Sequence, residues 1–211
     1  MTSRERVLAI ARREKPDRIP KDLSWGLCPA KVEEFRRRTG AEDYWDYFDL
    51  DYRPLEFAPT CRTRDAKEHF AGRDGEPGFT VDEWGVGLGH STDPSLHFEH
   101  LISPLKDGMD EEQAASYPLP DFLEDYRHAH FKKTVEGWHA RGLAVCGALV
   151  QTIFEKAWAI RGFQETLMDM MAEPEPMTIL FDRIADLRIE QAKLLIRADV
   201  DILMLGDDVG M

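Results

Sequence analysis

The chain has 211 residues, 43% hydrophobic and 32% charged, which is the balance of a globular domain and excludes a disordered or membrane-spanning chain. Its formal net charge of −13 repels polyanions and argues against nucleic acid as a partner. The apolar run at residues 7–11 is too short for a signal-peptide core, and no stretch approaches the roughly 20 apolar residues of a membrane helix. Cys28, Cys61 and Cys146 are few and far apart, which predicts reduced thiols and a cytoplasmic location.

In chain order, Thr2 and Glu5 have capping-box spacing and open a helix to about residue 14. Residues 19–25 read as a strand, with Pro20 near its start where a missing N–H is tolerable. Pro29 starts a second helix that Gly40 stops, and residues 42–48 form a further helical turn or two. Residues 52–57 read as a second strand. A long excursion then covers about 58–118, with a hairpin at 78–89. Residues 123–141 are amphipathic, with Phe131, Val135 and Trp138 on one helix face.

Residues 143–150 are almost continuously apolar, as in a strand buried on both faces of a parallel sheet. Gly162 separates helices at 153–161 and 163–172. Pro174 or Pro176 opens a long helix with Met177, Leu180, Phe181, Ile184, Leu187, Gln191 and Leu195 along one side. Residues 200–205 read as another buried strand. This alternation predicts an α/β fold with a parallel sheet and right-handed crossovers, in one domain over residues 1–211. Four β/α units are about half of a closed barrel, which takes about 250 residues. A small open α/β sheet is the alternative.

In parallel α/β folds chemistry gathers at the carboxyl ends of the strands. That rule selects Asp207 and Asp208 after the last strand, beside Gly206 and Gly210. Paired carboxylates can stabilise cations, hold a metal, or divide acid and base roles. A helix cap with a solvated loop acid is the structural alternative. Glu155 and Phe154 follow the preceding strand, Trp25 follows the first, and Glu56 follows the second. The excursion adds Asp82, Glu83 and Trp84. Asp207, Asp208, Glu155 and Asp82 are the catalytic candidates. Trp25, Glu56, Glu83, Trp84 and Phe154 are the substrate-binding candidates. Histidines 69, 90, 97, 100, 128, 130 and 139 lack ligand spacing, and no cysteine pair has zinc spacing, so no self-contained metal site is expected.

Several segments, in order, resemble the uroporphyrinogen decarboxylase superfamily. They are the opening Arg4-Glu-Arg through Asp17-Arg-Ile-Pro20, Asp82-Glu-Trp-Gly85, Pro104-Leu-Lys-Asp107 and Tyr117-Pro-Leu-Pro-Asp121. Phe154-Glu155 with Arg161-Gly-Phe163, and Leu205-Gly-Asp-Asp-Val-Gly210, complete the set. The resemblance implies a TIM (β/α)8 barrel, of which this chain covers roughly the first four β/α units. It implies a tetrapyrrole- or corrinoid-linked substrate and either decarboxylation or methyl transfer from a corrinoid protein to a thiol. Ser24-Trp-Gly-Leu-Cys-Pro29 stands where true decarboxylases carry substrate-binding arginines, which favours methyl transfer.

No cofactor is expected on this chain alone. Zinc, in the complete protein, would take its ligands from the second half of the barrel. Self-association or a complementary C-terminal half is expected to cover the open strands, and no membrane partner is expected. A non-catalytic half-barrel acting as a binding or assembly module is the alternative of another class.

Overall fold

The computed structural model describes residues 1–23, 26–62, 69–73, 75–89, 100–172 and 174–209. The protein is mixed α/β. Three helices come first, α1 (Ser3–Ala11), α2 (Pro29–Thr39) and α3 (Tyr44–Tyr47). Strands β1 (Tyr52–Leu55), β2 (Phe79–Val81), β3 (Gly87–Gly89) and β4 (His100–Ile102) follow. Then come α4 (Glu111–Ser116), α5 (Asp125–His128), α6 (Phe131–Ala140), β5 (Ala144–Val150), α7 (Phe154–Arg161), α8 (Phe163–Ala172), α9 (Glu175–Arg197) and β6 (Ile202–Gly206).

One sheet has the order β1-β5-β6. β1 pairs with β5 in parallel, Tyr52 opposite Ala144 and Leu55 opposite Gly147. Asp201 donates its N–H to the Val145 carbonyl at 2.9 Å, and Thr152 donates to Gly206 at 3.1 Å, so β5 and β6 ascend together. The second sheet, β2-β3-β4, is antiparallel. The expected hairpin is its first pair, and β4 is an addition that three residues of sequence did not announce.

The chain divides into two compact units: Met1–Glu56, Ala129–Ala148 and Leu194–Met204 in the first, Phe57–His128, Leu149–Lys193 and Leu205–Met211 in the second. In the first unit the Thr2–Glu5 capping box forms as expected. Gly40 caps α2 in the left-handed conformation, at φ 69°. Arginines of the opening segment converge on the buried carboxylates of Asp51 and Asp201 and on exposed Asp17. Arg6 reaches Asp51 at 2.6 Å and Asp17 at 2.6 Å, Arg18 reaches Asp51 at 2.6 Å, and Arg4 reaches Asp201 at 2.8 Å. His139 Nε2 lies 2.9 Å from the other Asp201 oxygen. Each buried carboxylate is therefore paired, as burial of charge requires.

In the second unit an apolar core gathers Trp84, Val86, Leu105, Tyr117, Phe122, Ala157 and Ile160 with one side of α9. Met177, Leu180, Ile184, Leu187 and Gln191 of that side are all buried, as the 3.6-residue period predicts. Arg161 ties α7 to the segment before α4, donating to the Leu105 and Lys106 carbonyls at 2.8 Å each.

Three expectations are corrected. Residues 19–23 form no strand; Ser24 and Trp25 lie outside the described residues. Pro20 has no N–H, and the Lys21 N–H goes to the Asp51 carboxylate at 2.5 Å and not to a strand carbonyl. The helix expected over 123–141 is two, α5 and α6. The Arg127 carbonyl, which would accept from residue 131 in a continuous helix, accepts from Ala58 N–H at 2.8 Å. β6 is not buried on both faces: it ends the sheet order, and Leu205 is 65% exposed.

Candidate functional site

At the carboxyl ends of β5 and β6, within the second unit, Asp207 organises the loop that enters α7. Its Oδ2 accepts from the Thr152 hydroxyl at 2.9 Å and from the Ile153 and Phe154 N–H groups at 2.8 Å each. Its Oδ1 accepts from Glu155 N–H at 2.8 Å. Residue 153, at the helix N-cap, supplies no side-chain bond of its own. Asp207 thus caps the helix from another strand, satisfying N–H groups that have no intrahelical partner. Burial raises its pKa, but these four donors outweigh that and hold the carboxyl below its ordinary value. Asp207 is a fixed anion that positions its neighbours.

Glu155 is different. Its carboxylate accepts the Asp208 N–H at 3.2 Å. Burial, with the charges of Asp208 and Asp207, raises its pKa despite that bond. Glu155 is thus a half-buried carboxyl beside two carboxylates, and it holds its proton more tightly than an ordinary glutamate. Asp208 itself is exposed. Phe154 is half-buried, with its ring 6.4 Å from that of Phe163.

The segment Asp82-Glu-Trp-Gly85 forms a tight turn. Asp82 accepts from the Trp84 and Val86 N–H groups at 2.9 Å each. Gly85 has φ 79°, and a Cβ there would lie 2.6 Å from the Tyr117 hydroxyl, which donates to the Trp84 carbonyl at 2.6 Å. Only glycine fits. Glu83 pairs with buried Arg127 at 2.8 Å, and Arg127 also pairs with Asp121. Trp84 is core, 3% exposed.

Sequence reasoning missed Arg188 and Lys156. Buried Arg188 donates to the carbonyls of Thr152 at 3.1 Å, Gln151 at 2.8 Å and Val150 at 3.3 Å, and to Gln191 at 2.9 Å. Its guanidinium lies 4.7 Å from the Trp84 ring centroid. Burial lowers its pKa to about 10. Gln151, held through that carbonyl, has φ 52°, a left-handed conformation that costs about 1–3 kcal/mol for a residue with a side chain. The signal for Arg188 was a cation inside the apolar stripe of α9. Lys156 stands over the same indole at 5.4 Å.

Arg188 thereby brings the Asp82–Trp84 turn, the loop after β5 and the Asp207 network into one neighbourhood. Glu56 falls in the first unit, where its side chain is exposed and its carbonyl lies 3.1 Å from His130 Nε2. Trp25 lies outside the described residues. Among the described residues no three His, Cys, Asp or Glu side chains are grouped to hold a metal. Nor is any described helix long and apolar enough to cross a membrane. No protein-family model matches the chain, and no match to it is found among curated proteins.

Proposed function

We propose that this chain supplies the first part of a TIM (β/α)8 barrel enzyme similar to the uroporphyrinogen decarboxylase superfamily. Its reaction is methyl transfer from a corrinoid protein to a thiol. The observation that carries the reading is the Asp207–Glu155 arrangement: a fixed anion and a carboxyl of raised pKa at the carboxyl ends of adjacent parallel strands. The sequential order of β1, β5 and β6 supports a singly wound sheet, as in a barrel, with its chemistry at that end. Zinc, which the resemblance associates with thiol activation, finds no ligand set among these residues, and no step is assigned to it here.

Local charge favours methyl transfer over decarboxylation of uroporphyrinogen. That substrate carries many carboxylates, whereas the acids of the neighbourhood, Asp82, Glu83, Glu155, Asp207 and Asp208, outnumber its cations, of which Arg127 is paired with Glu83 and Arg188 is occupied by carbonyls, leaving Lys156. Like charges in a partly desolvated site repel such a ligand. In its ionised form Glu155 would take the thiol proton, the corrinoid supplying the methyl group and keeping the electron pair of the bond that breaks, and Asp207 holds the helix end that carries Glu155.

The test is thiol methylation by the protein with methylcobalamin as methyl donor. Glu155→Gln should lower turnover by about 100-fold, the usual worth of a positioned acid or base. It should also remove the pH dependence that the wild type shows through the Glu155 ionisation. Unchanged turnover and pH profile in Glu155→Gln would remove Glu155 from the chemistry.

A further inference from the structure

Lys156 plays no part in that proton transfer, yet its setting calls for a chemical account. It lies in the first turn of α7, where the helix dipole disfavours a cation. The side chain is half-buried, and among the described residues its nitrogen makes no hydrogen bond and no ion pair. Its specific neighbour is the Trp84 indole, 5.4 Å from the ring centroid. The Arg188 guanidinium lies over the same ring at 4.7 Å. Two cations thus share one aromatic ring, and Arg188 is held by carbonyls and Gln191 with no carboxylate bound to it.

Burial foremost, and then the Arg188 charge, lowers the Lys156 pKa against the opposing pull of Asp82, Glu83 and Glu155. Partial desolvation next to a second cation is the arrangement that makes a lysine amine nucleophilic. The charges of Asp82 and Glu83 disfavour an anionic ligand, so the electrophile that suits this amine is uncharged.

We propose that Lys156 forms an imine with a neutral aldehyde or ketone at the carboxyl end of β5. The amine nitrogen bonds to the carbonyl carbon and its proton passes to the carbonyl oxygen. Loss of water from the resulting carbinolamine leaves the C=N bond. No oxidant or reductant is consumed. Glu155, the preceding residue, protonates the departing hydroxyl. This inference does not rest on thiol methylation: the imine can be trapped whether or not the protein methylates a thiol.

Reductive trapping tests it. The purified protein is treated at pH 7 with acetone and sodium cyanoborohydride, and each lysine is followed by peptide mass spectrometry. Lys156 should acquire the isopropyl label about tenfold or more faster than the exposed Lys132 and Lys133. Glu155→Gln should slow labelling at Lys156 and leave Lys132 and Lys133 unchanged. Pyruvate, an anionic ketone, should show a smaller preference for Lys156 than acetone. Labelling of Lys156 no faster than Lys132 and Lys133 in the wild type overturns the proposal and leaves Lys156 as a cation packed on Trp84. A stronger preference with pyruvate overturns the assignment of an uncharged substrate.

Discussion

Asp207 and Asp208 are neighbours in sequence with different physical roles. Asp207 accepts four hydrogen bonds, three of them from backbone N–H groups at the start of α7. Asp207→Asn keeps the shape but replaces one acceptor oxygen by a donor amide facing those N–H groups. It should cost about 1–3 kcal/mol, read as a lower urea midpoint. Asp208→Asn, at an exposed position, should stay within about 0.5 kcal/mol of wild type. Equal losses in the two variants would mean that Asp207 does not cap the helix. The sequence made the pair visible because both acids follow an apolar strand. It could not say which acid caps, because the helix that Asp207 caps lies some fifty residues earlier, beyond the reach of local spacing.

Among the elements, α9 was the most legible, since a long 3.6-residue period survives any detail of packing. The strand expected over residues 19–25 and the helix over 123–141 failed for one shared reason. Long-range hydrogen bonds, Lys21 N–H to Asp51 and Ala58 N–H to the Arg127 carbonyl, displaced the local ones that periodicity assumes. Arg188 shows the same principle acting between elements. From α9 it satisfies three consecutive carbonyls, those of Val150 at the end of β5 and of Gln151 and Thr152 after it. Arg188→Met preserves much of the apolar stem but orphans those carbonyls. It should destabilise the protein by about 2–4 kcal/mol and increase hydrogen exchange in the loop at residues 151–153. Wild-type exchange in that loop would show that Gln151 keeps its left-handed conformation without Arg188.

For the whole molecule, net charge and buried carboxylates set the response to acid. Burial raises the pKa of Asp51, but Arg18, the Lys21 N–H, Ser3 and Arg6 together bring it below the ordinary value, and Asp207 is lowered as well. A carboxyl lowered in the folded state adds stability above its unfolded pKa of about 3.9, and that stability is lost as pH falls through the folded value. Glu155 has the opposite sign: its raised pKa favours folding more below the unfolded value and less as pH rises through the folded one. Urea midpoints should therefore fall steeply below about pH 4, with a shallower fall in Asp51→Asn. A flat profile from pH 5 to about pH 2 would contradict the ion-pair network around Asp51.

The same concentration of carboxylates at the ends of β5 and β6 is what separates the proposed reaction from its nearest rival. The direct measurement offers the full protein methylcobalamin with 2-mercaptoethanol, an uncharged thiol, and, separately, uroporphyrinogen, with products identified by mass spectrometry. Methyl transfer yields the methylated thioether and leaves uroporphyrinogen intact. Carbon dioxide released from uroporphyrinogen, with the thiol left unmethylated, would contradict it.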